Sequence, residues 1–484
     1  MRTIPVLIVI GWLLIVLAGV MVVPVAIAVA FEELHQAVVF VLSACLTVFI
    51  GGALILATRG TAHVHGRVRD MTLISLIWTV LPLFSAIPFF GSGTMNSLSG
   101  AYFEAVSGFT TTGATLYVNL DETPRALVFW RALLQWIGGI ATLVTIGLMI
   151  DPSRRGGMQD TRLLFPESGR RALRIRQSLQ DYVPLYSAFT LSCFVALIVS
   201  GVPQFDALCL SMSTLSTGGF MPVSGTLERY QAPYAYGIIW VFMMIGATSF
   251  YAHKAVFSKL AFSRHRENRE TIYLLVLCFG GSLLFSFMAV VLAGNEDRPE
   301  LFASLLENLF AISSLLTTTG YLPWHSNSPS YLPYVAVLAL CLVGGASFST
   351  AGGLKLMRVA LLLKLSGREL AQLIHPHGIT LVQMERVASE ARRFLMVWML
   401  FSVLLLVLAV LGLFVSFSGV GFEQALLATA ASLSNTGPAF EFLPGSSYAE
   451  LPVGARPALI AAMILGRIEF LAIIGMVNLA FWRR

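Results

Sequence analysis

The chain has 484 residues, 57% of them hydrophobic and 12% charged, with a mean hydropathy of +0.80 and a formal net charge of +6. A water-soluble domain carries roughly 25% charged residues, so this composition excludes a soluble enzyme or binding domain and specifies a polytopic membrane protein. The positive charge does not point to nucleic acid, because Arg and Lys gather in particular connections between apolar runs, where they encode topology.

Two apolar runs, 4–31 and 36–58, open the chain. The first exceeds the roughly 7–15 apolar residues of a signal peptide and lacks a clear small-residue cleavage site, so it reads as a retained span. Glu32 and Glu33 lie between the two, whereas Arg59, Arg67 and Arg69 follow the second. The basic side faces the cytoplasm, which places Met1 there too. Residues 1–69 thus form a two-helix prefix.

From about residue 70 the pattern becomes a span, a short apolar run, a Thr-Gly loop and another span, four times over. The copies with their linkers cover 70–178, 179–269, 270–384 and 385–484. Their short runs are 98–109, 205–215, 301–316 and 422–433. A half-span of about 12 helical residues reaches about 18 Å, too little for a hydrocarbon core of about 30 Å. Each must therefore enter and leave from one side. The linkers agree. Arg154 to Arg176, Lys254 to Arg269 and Lys364 to Arg393 are rich in basic residues, while Asp121, Glu122, Glu228, Glu296, Glu441 and Glu450 stand beside the loops. Ten full spans put every basic linker inside, every Thr-Gly loop outside and both termini in the cytoplasm.

The loops read Thr111-Thr112-Gly113, Ser216-Thr217-Gly218, Thr318-Thr319-Gly320 and Asn435-Thr436-Gly437, their glycines 105, 102 and 117 residues apart. Irregular backbone at membrane depth is tolerated only inside protein or around a water-filled cavity. Four such loops around one centre suggest a pore entrance, in which backbone carbonyls replace an ion's hydration shell. The glycines permit the required dihedrals, and each short helix points its negative dipole end inward, where a cation is favoured. The fold class expected is an all-α polytopic membrane protein of four helix, pore half-helix, helix (M1-P-M2) repeats in pseudo-fourfold arrangement behind the prefix.

Two further features stand out. The third copy's second span is interrupted by the small residues Gly344 to Gly353, and broken spans at mid-membrane often mark ion paths, although close helix packing is the alternative. Arg467 lies inside an apolar stretch, where a charge must face a partner or a watery cavity. Glu469 is too near in sequence to share its helix face. Cys45, Cys193, Cys209, Cys278 and Cys341 lack metal-ligand spacing and read as free thiols.

The stretch from Phe103 to Thr115 resembles the first pore loop of the TrkH-type subunits of the Trk/Ktr/HKT superfamily of potassium transporters. Trp130-Arg131 with Gln135 to Gly139, Gly344-Gly345 with Ser349 to Lys355, and Leu465 to Glu469 are similar to its later signatures. The likeness covers essentially the whole chain. It implies a potassium-uptake protein of the bacterial inner membrane, and a homodimer in which each chain holds its own pore. A cytosolic nucleotide-binding ring partner of the TrkA kind would gate it. By the same likeness potassium sits at the filter carbonyls, and Gly344, Gly345, Ser349, Thr350, Gly352, Gly353, Lys355 and Arg467 form the gate. Lys355 reads equally well as a snorkelling anchor. The family favours a small residue near Phe348, asparagine at Ser249 and a less apolar third mouth than Tyr321 to Trp324.

An ion-coupled secondary transporter (sodium or proton) is the alternative, but its repeats would be inverted and few, whereas these four share one orientation. An enzyme is not expected: His63, His65, His253, His265, His375 and His377 fall in or beside the cytoplasmic linkers, no catalytic cluster is visible and no cofactor other than the transported ion is implied. No dinucleotide or P-loop fingerprint occurs, so nucleotide control belongs to a partner. The Arg154 to Arg176 linker is a candidate docking surface for that partner, or a topology signal at the lipid headgroups.

Overall fold

The structure, a computed structural model, describes residues 4–59, 67–149, 171–232, 234–259, 269–292, 301–323, 332–374 and 384–468. The Arg154 to Arg170 part of the first linker, the distal part of the third mouth and Glu469 lie outside the described residues.

In the prefix, α1 (Ile4–Val20) and α2 (Val22–Ala30) follow one another and turn back into α3 (Leu34–Ala57). α1 and α3 approach closely at Gly11 and Gly51: a methyl group on either would stand 2.8 Å from the other's carbonyl oxygen. Small residues let membrane helices meet backbone to backbone in this way.

The first copy comprises α4 (Arg67–Ser85), α5 (Ile87–Gly91), α6 (Leu98–Phe109) and α7 (Arg125–Met149). The prefix is fastened to it by Glu33, whose carboxylate accepts from the Arg125 and Ala126 amides at 2.7 and 3.0 Å. Those amides are among the donors a helix start leaves unpaired. The Arg125 guanidinium lies 4.5 Å over the Phe31 ring.

The second copy runs through α8 (Arg171–Val199), α9 (Gln204–Leu215), α10 (Ala235–Ala247) and α11 (Phe250–Lys259). Its second span, expected as one rod, is bent by 98° between α10 and α11. At the bend the Thr248 hydroxyl bonds to the Met244 and Ile245 carbonyls and to His253 Nε2. A side chain that satisfies its own helix end stabilises a break there.

The third copy holds α12 (Arg269–Leu292), α13 (Leu301–Leu316), α14 (Tyr334–Leu342) and α15 (Leu356–Ile374). Between the last two, β1 (Val343–Gly344) pairs in parallel with β2 (Leu354–Lys355), closing the loop of small residues at its neck. The fourth copy holds α16 (Met384–Phe417), α17 (Phe422–Leu433) and α18 (Arg456–Arg467).

Seven described helices are long and apolar enough to cross a membrane alone, and the bent α10–α11 pair makes an eighth. Of the ten spans expected, the other two are the interrupted α14–α15 and α18, which ends at the limit of the described residues. The short helices α6, α9, α13 and α17 occupy the expected half-spans and are buried over most of their length. By contrast, only 28% of the apolar windows of α3, α8, α12 and α16 is buried inside the chain, leaving wide apolar faces outward. The protein is thus a multi-pass membrane protein whose least lipid-like segments, the half-helices and their loops, lie innermost.

Candidate selectivity filter and gate

All four half-helices end alike. The residue after each cap, Thr111, Thr217, Thr318 or Asn435, is left-handed, with φ of 54, 52, 58 and 57°. The next amide, on Thr112, Gly218, Thr319 or Thr436, donates five residues back to Ser107, Ser213, Ser314 or Ala431 at 2.8, 2.9, 3.0 and 2.8 Å. This is a Schellman ending, which usually places glycine at the left-handed position. Asparagine tolerates that region, but a β-branched threonine there costs on the order of 1–2 kcal/mol. Three copies store that strain at one equivalent position, and strain of this kind clusters at functional sites.

The backbone also corrects the sequence register of the second copy. Gly113, Gly219 and Gly320 share φ of 82, 79 and 83°, so Gly219 stands where the first copy has Gly113, and Gly218 where it has Thr112. The side chains agree. The cap hydroxyl meets the hydroxyl two residues on in Thr110–Thr112 (2.7 Å), Thr317–Thr319 (2.9 Å) and Ser434–Thr436 (3.1 Å). In the second copy Gly218 has no hydroxyl to offer, and Ser216 bonds to the Ser213 carbonyl instead. The doubled glycine hid this offset in the sequence.

The loops close on one another in chain order. A methyl on Gly113 would stand 2.0 Å from the Gly218 oxygen, and one on Gly219 would stand 2.0 Å from the Thr319 oxygen. The Gly437 amide donates to the Thr112 oxygen at 2.6 Å, which joins the fourth copy to the first. Between the third and fourth, Gly320 faces Pro438, which also lies beside Gly113 and Gly219. The fourth copy departs from the others here, because Gly437 opens a 3-10 turn through Phe442. Asn435 adds a bond from Nδ2 to the Thr112 hydroxyl at 3.0 Å and another to the Met463 carbonyl at 2.9 Å.

Buried polar groups outside the loops brace this ring. Gln135 donates to the Gly218 oxygen at 2.8 Å. Glu104, fully buried in α6, accepts from Arg131 Nε at 2.7 Å, from the Thr115 hydroxyl at 2.9 Å and from the Leu116 amide at 3.0 Å. Arg131 reaches on to the Thr115 hydroxyl and the Met221 carbonyl, and lies 4.0 Å over the Phe220 ring. A buried charge is tolerable only when paired and hydrogen-bonded, as this one is. The clamp joins the outgoing strands of the first two loops. Sequence reasoning quoted both residues inside motifs without giving them this task; a carboxylate in a half-helix too short to span was the available signal. Glycines on the neighbouring helices let the half-helix ends come close: methyls on Gly138 and Gly466 would stand 2.0 Å from the Phe109 and Leu433 oxygens.

Outside the ring lies a cavity of about 370 Å³, lined by Gly113, Gly219, Gly320, Pro438 and two carboxylates, Glu441 and Glu450. Burial pushes the Glu441 carboxyl up to about 7, with the Arg131 charge pulling the other way. Among the described residues no group of three or more His, Cys, Asp or Glu side chains is placed to hold a metal ion.

On the opposite side of the half-helix ends lies the loop between β1 and β2, and its residues bond directly to the ends of the half-helices. The Gly352 amide donates to the Thr318 hydroxyl at 2.8 Å. The Thr350 hydroxyl lies 3.0 Å from the Leu215 carbonyl and 2.9 Å from that of Gly246, while its own carbonyl accepts from Arg467 Nη2 at 2.8 Å. Arg467 is 6% exposed, so its guanidinium lies inside the protein. Lys355 is equally buried and donates to the Ala351 carbonyl at 2.6 Å, so it secures the loop rather than reaching for a headgroup. Ser349 caps the turn through the Ala346 carbonyl, and Phe348 is left-handed with φ of 61°. Gly344 and Gly353 are packed neck to neck, where a side chain on either would collide with the other strand's backbone. Gly345 packs against Ala247. The candidate gate residues named from the sequence therefore lie together, with Arg467 bound to their centre.

A family model described as "Cation transport protein", TrkH, matches residues 35–478. The chain is 31% identical to the Trk system potassium uptake protein TrkH of Halomonas elongata and 29% identical to that of Escherichia coli K12, in each case over 98% of both chains. The crystal structure of the potassium transporter TrkH from Vibrio parahaemolyticus matches with a TM-score of 0.85 at 27% identity, covering 100% of both chains. With the fold, the four equivalent caps and the relatives in agreement, the chain belongs to the TrkH family of cation transport proteins.

Proposed function

We propose that this chain takes up potassium through a channel-like pore of its own, lined by the carbonyls of the four loops. The observation that carries the reading is the closed ring of four like-ended half-helices from one chain. Each contributes a left-handed residue and a glycine two residues on; the first three also contribute a carbonyl, of Thr112, Gly218 and Thr319, at a contact with a neighbour, where the fourth offers Pro438. The names of its relatives, potassium uptake proteins of a Trk system, support the choice of ion.

In this reading a cation collects in the outer cavity under the influence of Glu441 and Glu450. It then exchanges water for the carbonyls around Thr112, Gly218, Thr319 and Thr436, with Gly113, Gly219, Gly320 and Gly437 giving the backbone access. With one such turn per copy the filter has fewer strong sites than a long potassium-channel filter, so discrimination against sodium is moderate. On the other side the loop from Gly344 to Gly353, held by Arg467, narrows the path and restrains a basal flux until it is displaced. A cytosolic nucleotide-binding ring of the TrkA kind supplies that displacement, since the relatives are named as parts of a system. The assembly is a homodimer in a bacterial inner membrane with both termini in the cytoplasm. Purified protein in liposomes should take up rubidium down its own gradient, with the membrane potential clamped and no sodium or proton gradient imposed. Uptake that requires either gradient would replace the pore with a coupled transporter.

A further inference from the structure

We infer that Glu270 is a positioning residue for the gate: its carboxylate latches the intramembrane loop to the start of α12. The inference rests on the gating role proposed above for that loop.

Glu270 is the second residue of α12 and is 8% exposed. Both of its carboxylate oxygens are used by one residue of the loop: Oε2 accepts from the Ser347 amide at 2.8 Å and Oε1 from the Ser347 hydroxyl at 2.7 Å. Hydrogen bonds to a carboxylate are among the stronger ones in proteins, and losing this acceptor would leave a part-buried amide unpaired.

Ser347 is a well-placed point to grip. On one side of it the Ala346 amide donates to the Ala247 carbonyl at 2.9 Å; on the other the Phe348 carbonyl accepts from the Phe250 amide at 3.0 Å. Both partners belong to the bend between α10 and α11. The three consecutive residues are thus pinned between the second copy's bend and the third copy's first turn. Phe348, directly after Ser347, is held left-handed, a conformation that a bulky side chain leaves readily once its surroundings release it. Two and four residues further on, Thr350 and Gly352 make the bonds to Arg467 and the half-helix ends. Two charged side chains from outside the loop thus add to these holds: Arg467 on its filter side, and Glu270 on the side that follows from β1. Of these, Glu270 stands at the start of a helix that follows a basic connection, Lys254 to Arg269, expected to face the cytoplasm.

The test uses the full chain in liposomes without its partner, measuring rubidium influx and the potassium-to-sodium reversal potential. Glu270→Gln keeps the size of the side chain but can accept at only one of the two positions. It should raise partner-independent flux at least fivefold with the reversal potential unchanged. Ser347→Ala should raise it less, and the double variant should match Glu270→Gln alone, because both act through one contact. A merely structural residue would not raise flux while sparing selectivity. Arg467→Ala separates this inference from the gating reading. If Arg467→Ala raises flux while Glu270→Gln and Ser347→Ala stay at the wild-type level, the latch is refuted and the gate stands. If none of the three raises flux, the gate reading falls and the latch with it. A change of reversal potential in Glu270→Gln would also overturn the latch, since it would signal general loosening. Should Glu270→Gln fail to fold, Ser347→Ala decides by the same readouts.

Discussion

Gly113→Ala is the sharpest test of the ring, because it combines two separable penalties. Gly113 has φ of 82°, where an alanine costs about 1–2 kcal/mol relative to its favoured conformations. The added methyl would also stand 2.0 Å from the Gly218 oxygen, against 3.4 Å for the near limit of ordinary contact, so that carbonyl must retreat by about 1.4 Å. Overpacking of this kind costs about 1–3 kcal/mol. Together, about 2–5 kcal/mol depletes the native loop by roughly 30- to 4,000-fold at 1.4 kcal/mol per decade. The assay is rubidium influx into liposomes, alone and in competition with sodium. At least a 30-fold loss of influx, or loss of the preference over sodium, is expected. Gly201→Ala supplies the control: Gly201 has φ of 99° but nothing within 4 Å of an added methyl, so it incurs the backbone penalty without the contact. Gly201→Ala should lower thermal stability slightly and leave transport untouched. Normal influx and sodium competition in Gly113→Ala would refute the assignment of this glycine to the permeation path.

Three other outcomes follow from the same geometry. A methyl on Gly218 would first meet the end of the Gln135 side chain, at 2.4–2.6 Å, whereas one on Gly219 would meet the Thr319 carbonyl oxygen at 2.0 Å. Gly219, unlike Gly218, also has a positive φ, so Gly219→Ala should lose much more rubidium influx than Gly218→Ala; equal loss, or the reverse order, would undo the corrected register. Glu104→Gln leaves Arg131 buried beside a neutral partner and should destabilise the protein by about 3–5 kcal/mol, read as a lower melting temperature in detergent. An unchanged melting temperature would mean that the clamp bears no load. Glu441, with its carboxyl pushed up to about 7, carries negative charge above that pH and loses it below. Influx at low external potassium should thus fall as external pH goes from 8 to 6, and Glu441→Gln should flatten that dependence at the lower level.

The architecture was legible because it depends on lengths and periods. Apolar runs such as 98–109 are too short to span, and the alternation of basic and acidic connections left one consistent topology. The loop from Gly344 to Gly353 was visible because small residues in succession make a poor helix. What stayed hidden depends on contacts between distant segments. The left-handed backbone of Thr111, Thr217 and Thr318 runs against their intrinsic preference, so propensity argued against it; only the surrounding ring imposes it. The second copy's register was blurred by Gly218-Gly219, where either residue satisfies a Thr-Gly reading. The bend at Thr248 needs His253 and the intramembrane loop to fix it. Nothing in the sequence singles out Glu270, whose partner Ser347 lies 77 residues away and is brought to it only by the fold.

The central claim is that one chain forms a potassium-preferring pore through these four loops. The reversal potential of the purified protein in a planar bilayer, with potassium on one side and sodium on the other, tests it most directly. A steady current should reverse at a potential displaced in the direction of potassium preference, and Gly113→Ala should abolish that current or bring its reversal close to zero. Absence of current under every driving force except an imposed sodium or proton gradient would contradict the account.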